Sequence, residues 1–204
     1  MTAIRTRGVL PDPPEASRAV FLNMAYGPES ERLLLAYVCG LAELGLVPVL
    51  ALELTDSGRR LDHIRALLRG CVFSLHDLYH VGAGRWNVIL ELGMAIEGSA
   101  GHSWFVLDAE PRRAIRALSD LNGTDIFGHA GTPKGVLGAL LNIFSRPKEN
   151  FTVQSLEKKY RALARTASKI CKSQGAKSVF ERRVFTKLLA EAAILAQSGP
   201  PPGR

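Results

Sequence analysis

From Ala19 onward the chain alternates short apolar runs with stretches whose apolar residues recur every three or four positions. Ala19 to Met24, in "AVFLNM", is a short apolar run that ends in a polar turn, the pattern of a buried parallel strand. In "GPESERLLLAYVCGLAELG", Pro28 and Glu29 mark a helix start. Leu33, Leu34, Tyr37, Val38, Leu41 and Leu44 keep helical spacing, and Gly45 supplies the stop. "LVPVLALEL" predicts a second strand, roughly Val47 to Leu52. "RRLDHIRALLRG" predicts a helix with its apolar stripe at Leu61, Ile64, Leu67 and Leu68. "CVFSL" predicts a third strand, and residues Asn87 to Glu97 a helix with Val88, Ile89, Leu92 and Ile96 turned to the core. "HSWFVLD" reads as a fourth strand, "PRRAIRALSDL" as a short helix and "DIFGH" as a fifth strand. "TPKGVLGALLNIFS" reads as a helix with Thr132 as N-cap and Pro133 at its first position.

Strands alternating with helices across short Gly-, Pro- and Asp-bearing loops imply βαβ units and a parallel sheet. About five strands suit a flavodoxin-like three-layer α/β sandwich of order 2-1-3-4-5. "SLEKKYRALARTASKICKS" and "SVFERRVFTKLLAEAAILAQ" follow, two amphipathic helices about a Gly175 turn, so the α/β unit carries a C-terminal helical hairpin. The divisions are a lead over 1–18, an α/β domain over 19–150 and the hairpin with its tail over 151–204. Val179, Phe180, Val184, Phe185, Leu188, Leu189, Ala192 and Leu195 form a stripe suited to packing on the domain or on a second protomer.

Charge sharpens this division. The net charge of +7 is not spread along the chain. Residues 1–150 carry 15 Lys and Arg against 16 Asp and Glu, whereas residues 151–204 carry 11 against 3. The basic excess belongs to the hairpin. The sequence pI of about 9.6 therefore does not mark the whole chain as nucleic-acid-binding, and sparse aromatic interleaving argues against single-strand stacking. No apolar run is long enough to span a membrane, and the N-terminus lacks the apolar core of a signal peptide. Cys39, Cys71 and Cys171 are too widely spaced for a metal motif and read as reduced thiols of a cytoplasmic protein.

In a doubly wound sheet, ligands bind at the carboxyl ends of the strands near the topological switch point. The residues expected there are Asn23, Tyr26 and Gly27 after the first strand, His76 and Asp77 after the third, Asn87 and Glu91 on the next helix, and Asp108 after the fourth. The loop "LSDLNGTDIFGHAGTPKG" adds Asp125 and other polar residues that could line the same cleft. The strand–turn–helix at "FLNMAYGPES" offers a helix N-terminus to an anion. It has neither GxGxxG nor GxxxxGK[ST], which counts against nicotinamide dehydrogenases and P-loop enzymes. It also lacks the Ser/Thr-rich cradle of an FMN flavodoxin. His76, Asp77 and His80 lack further ligands for a metal. Glu91 stands out because a carboxylate in an apolar surround must be compensated or must work.

"NVILELGMAI", set after the strand and loop carrying "LHDL", resembles the ELG helix of nucleoside 2-deoxyribosyltransferases and bacterial Toll/interleukin-1-receptor-like (TIR-like) nucleotide-binding domains. The resemblance covers roughly residues 19–144. It implies a flavodoxin-like sheet presenting Glu91 to the anomeric carbon of a ribosyl group, with Asn87 one turn before it. It implies likewise that "VFLNMAYG" contacts sugar and phosphate. The residues ahead of the glutamate, "GAGRWNVIL", depart from the Asp and Gly-Thr of the deoxyribosyltransferases.

The chemistry so implied is cleavage of an N-glycosidic bond through an oxocarbenium-like transition state. The expectation is an N-glycosidase acting on NAD⁺ or a related nucleotide, active as a homo-oligomer, without a cofactor, and placed among bacterial defence effectors. A nucleobase would need a second acid, for which Asp77 is the first candidate. Nicotinamide would not. The alternative is a non-catalytic nucleotide-sensing module that signals through the hairpin.

Overall fold

The computed structural model describes residues 18–52, 60–80, 86–98, 102–145 and 150–198. The lead expected over 1–18 thus lies outside the described residues except for Arg18. Five parallel strands, β1 (Ala19–Asn23), β2 (Val47–Val49), β3 (Phe73–Asp77), β4 (Ser103–Asp108) and β5 (Ile126–Gly128), form one sheet in the order β2-β1-β3-β4-β5. The order is the one the alternating pattern predicts. The β1 connection runs to β2 on one side and the β3 connection to β4 on the other. The chain therefore diverges above the β1–β3 pair, where Asn23 stands beside His76.

Alternation along the central strands assigns their side chains to two faces. Val20 and Leu22 of β1, Phe73 and Leu75 of β3, and Leu107 of β4 share the largest core cluster with α1 (Glu31–Glu43) and α5 (Pro133–Phe144). Phe21 and Val106 point the other way, toward α2 (Arg60–Gly70), α3 (Asn87–Glu97) and α4 (Pro111–Ala117). A 3₁₀ turn at Pro28–Ser30 leads into α1. Gly45, with φ at 71°, makes the left-handed turn after it. Thr132 caps α5 by accepting the Gly135 N–H at 3.0 Å.

The hairpin is α6 (Val153–Gln174) and α7 (Arg182–Gln197), and its stripe enters the same core. Leu156, Leu163, Val184 and Leu188 are fully buried in the cluster that contains α1 and α5. This arrangement explains α1, whose residues from Leu33 to Leu41 are buried without interruption. One side of α1 meets the sheet and the other meets the hairpin, so an all-round apolar helix is satisfied. Gly40 lets α1 approach α5, since a Cβ there would stand 2.6 Å from Leu140 Cδ1. Lys159 of α6 pairs with Glu43 of α1 at 2.7 Å.

Three expectations change. β2 ends at Val49 rather than Leu52. Leu61 of α2 and Ile96 of α3 are exposed, because the buried stripes run instead through Ile64 and Leu68 and through Val88, Leu92 and Ala95. Among the described residues no helix is long and apolar enough to cross a membrane.

Truncating Leu188 tests whether the hairpin shares the fold's cooperativity. Leu188→Ala is expected to cost about 2–5 kcal/mol. Fluorescence of Trp86 and Trp104, both outside the hairpin, should then be lost with far-UV circular dichroism in one urea transition. Two separate transitions would show a hairpin that melts independently.

Candidate functional site

Glu91 lies on the second turn of α3 and is 4% exposed. Its surroundings come from three segments. Asn87, one turn earlier on α3, hydrogen-bonds to its carboxylate, and the Arg60 guanidinium at the start of α2 acts on it electrostatically. The third is the loop after β1, whose Tyr26 phenol feels the Glu91 charge. Burial pushes the Glu91 carboxyl above the ordinary carboxylate value, and Arg60 and Asn87 pull it partly back. Burial, and then the Glu91 charge, likewise raise the Tyr26 phenol, so it stays protonated. Tyr26 is 36% exposed and stacks on Phe180 of the hairpin turn, with ring centroids 4.9 Å apart and planes inclined by 31°.

A polar chain beneath the loops places α3. Asn23 Nδ2 donates to the Val88 carbonyl at 2.8 Å and to His76 Nδ1 at 2.8 Å. The neighbouring contacts fix the proton positions. His76 Nδ1 accepts, so Nε2 carries the hydrogen and donates to Ser74 Oγ at 2.8 Å. Ser74 donates in turn to His102 Nε2 at 2.8 Å, and His102 Nδ1 donates to the Cys71 carbonyl at 2.9 Å. Every ring nitrogen is used by the neutral tautomers. Burial accordingly lowers the His76 pKa to about 3, and burial also lowers that of His102.

A second network occupies the opposite face. Asp77 accepts from the Tyr37 hydroxyl at 2.9 Å, from the Tyr79 N–H at 3.0 Å and from His129 Nε2 at 3.3 Å. His129 Nδ1 accepts the Gly131 N–H at 3.1 Å, which leaves the proton on Nε2. Asp108 pairs with Arg113 through contacts of 2.9 and 3.1 Å and caps the following turn through the Glu110 N–H at 2.8 Å.

The structure therefore divides the expected site residues. It brings Tyr26, Asn87 and Glu91 together, with Gly27 adjoining Tyr26 in the chain. Asn23 and His76 are buried, and protein partners take the Asn23 amide hydrogens and both His76 ring nitrogens, so these groups hold the scaffold. Asp77 does not stand across from Glu91. Strand alternation turns it toward α1 and α5, whereas Glu91 is on the α2–α3 side. Asp108 is buried in its own ion pair. Asp125 lies exposed just before β5, at the amino end of that strand and away from the crevice.

The α1 entrance also differs from an open anion cradle. Gly27 has an extended backbone with φ at 175°, and a Cβ on it would meet the Glu29 carboxylate at 2.5 Å. Glu31 Oε1 accepts from the Ser178 hydroxyl at 2.6 Å. Two of the chain's own carboxylates thus stand at the positive end of the helix. Among the described residues no cluster of three or more His, Cys, Asp or Glu is placed to hold a metal.

Sequence reading missed Arg60 and Phe180, which enter from distant segments. Tyr37 carried a usable signal. A tyrosine inside a helix apolar on all sides needs a partner for its hydroxyl, and Asp77 is that partner.

Protonating His76 requires breaking the Asn23 contact, and this gives a pH signature. The folded pKa of about 3 lies below the ordinary value of 6.5, so the unfolded chain binds more protons between them. Stability is complete above about pH 6.5 and is lost as pH falls toward 3. From pH 7 to pH 5 the contribution lost from His76 is about 2 kcal/mol. Urea unfolding at the two pH values should show at least part of this decline, and equal midpoints would exclude it.

No family model matches the chain, and no curated protein and no solved structure matches it.

Proposed function

We propose that this chain is a nucleotide N-glycosidase-like protein that cleaves or transfers a ribosyl group of NAD⁺ or a related nucleotide through Glu91. The observation that carries this reading is the burial of Glu91 on the second turn of α3, beside a tyrosine, an asparagine and an arginine. An isolated surface glutamate would need none of these neighbours.

In the proposed reaction the bond between the anomeric carbon and the base nitrogen breaks, and the base takes the bonding electron pair. The carbon gains oxocarbenium character that a nearby carboxylate stabilises, either as an ion pair or by forming an ester. Water or an acceptor hydroxyl then adds to the carbon and loses a proton. Removal from water strengthens the attraction between Glu91 and the developing positive charge. Asn87 orients the carboxylate, and the protonated Tyr26 phenol offers a hydrogen-bond donor.

The leaving group follows from the engaged acids. Asp77 and Asp108 are committed to internal partners, which favours a base that departs without general-acid help. Nicotinamide, cationic at its ring nitrogen before cleavage, leaves as a neutral molecule. The carboxylates at the α1 entrance favour recognition through sugar and base over a phosphate at that helix end. A nucleotide or nucleoside ligand and a homo-oligomeric state belong to the same proposal.

A second reading, a nucleotide-sensing module without turnover, is favoured by one observation. The hairpin turn packs directly on Tyr26, so a ligand there would have a route to the basic helices.

Purified full-length protein incubated with NAD⁺ is expected to release nicotinamide, and Glu91→Gln to reduce the rate by about a hundredfold or more. Inosine and deoxyadenosine should react more slowly. Chromatography of the released bases measures all three. Full activity in Glu91→Gln would sink the enzyme reading, and tight NAD⁺ binding without base release would favour the sensing module.

A further inference from the structure

Phe180 sits in the turn between α6 and α7, more than 150 residues along the chain from Tyr26, yet its ring covers that tyrosine. The turn is held in place by the segment that carries Tyr26. Glu31, the first residue of α1, accepts from the Ser178 hydroxyl at 2.6 Å and from the Val179 N–H at 3.3 Å. The Phe180 N–H donates to the Ser178 oxygen at 3.2 Å, which sets the backbone of the turn. Gly175, at φ 57°, ends α6 in the left-handed conformation that lets the chain reverse. Val179 and Phe180 are both buried.

The Tyr26 phenol is tied to the Ala51 backbone by one hydrogen bond, and its ring is covered by Phe180. The residue follows Ala25 in a loop and precedes Gly27 and the 3₁₀ turn. A tilted aromatic pair at 4.9 Å is a restraint on ring orientation, since such pairs prefer offset or edge contacts. The loop's other fixed end is Asn23, tied to the Val88 carbonyl three residues before Glu91. Tyr26 thus stands between a clamp to α3 and a stack to the hairpin.

We propose that Phe180 is a positioning residue for the candidate site: the hairpin turn is one wall of it, and Phe180 holds the Tyr26 ring beside Glu91 as a platform for the planar base of the ligand. The ligand part of this inference rests on the glycosidase reading above, while the positioning part stands on the ring pair and the hydrogen bonds of the turn and loop, with the effect of the Glu91 charge on the Tyr26 phenol marking their proximity. It gives the C-terminal hairpin a part in recognition that its basic face does not supply. It also explains why the turn is buried and anchored while most of the hairpin's charged residues are not.

The test uses the full chain with 3-fluorotyrosine at its four tyrosines. The Tyr26 resonance is assigned by its loss in Tyr26→Phe. In the otherwise unaltered chain it should shift on Glu91→Gln. In Phe180→Leu it should move toward the position of free fluorotyrosine, and its response to Glu91→Gln should fall at least twofold. Phe180→Met, whose flexible unbranched side chain adapts to the space without a ring, replaces Phe180→Leu if that variant fails to fold. Phe180→Tyr should restore both features. A Tyr26 resonance unchanged in position and response in a folded ring-less variant overturns the proposal. With NAD⁺ as substrate, Phe180→Leu should raise KM about tenfold with kcat within about threefold, and Phe180→Tyr should reverse the rise. An unchanged KM overturns the platform role. If no variant and no parent chain acts on NAD⁺, the glycosidase reading fails, and the fluorine spectra still decide the positioning.

Discussion

Asn23 uses both amide hydrogens, one on the Val88 carbonyl and one on His76 Nδ1, and the geometry of the candidate site follows from that pair of bonds. The sheet diverges above β1 and β3, so nothing in the strand ladder itself fixes where α3 begins. The amide bridges this gap. It joins the end of β1 to the neighbouring strand and to the first turn of the helix that carries Glu91. His76 can accept only while neutral, and it stays neutral because burial opposes its charge and because Ser74 and His102 take up the other polar positions. A buried network that pairs both Asn23 amide hydrogens and both His76 ring nitrogens defines one arrangement where an apolar contact would tolerate several.

The two faces of the sheet then do different work. On one face Asp77, Tyr37 and His129 join β3, α1 and the start of α5. Both Asp77 carboxylate oxygens are thereby taken by internal partners, on the face away from Glu91. On the other face Glu91 is buried but sits beside a partly exposed tyrosine and the Arg60 side chain. A desolvated carboxylate is costly unless its charge is balanced. Here the balance is partial: Arg60 and Asn87 stabilise the charged form, but burial still raises its pKa. Such a group gains most from a cationic neighbour, the property that an oxocarbenium-like state would use.

Much of the fold is legible along the chain. The strands announce themselves by length and apolar continuity, the helices by their period, and their ends by Thr132, Pro133, Gly45 and Gly175. The unbroken burial of α1 was also visible, in a helix that carries apolar residues on every side, and it required a covering layer that the stripe of α7 supplies. Exposed Leu61 and Ile96 show the limit of periodicity. A hydrophobic residue at the edge of a stripe is buried only if a neighbour reaches it. On α3 the neighbours reach Val88, Leu92 and Ala95 instead.

For the site, the sequence by itself determined which short elements carry the candidates and singled out Glu91, because a charge inside an apolar helix is a local contradiction. It placed Asn87 with Glu91 through helical spacing and Tyr26 near them through the loop after β1. Only the tertiary structure decided which polar residues are engaged internally, since the partners of Asn23, His76, Asp77 and Asp108 come from other segments. It alone brought Phe180 onto Tyr26 and Arg60 toward Glu91. Local pattern records the period of an element and the face it must bury. It does not record which distant side chain will meet that face, because that contact is set by the packing of layers after the elements have formed.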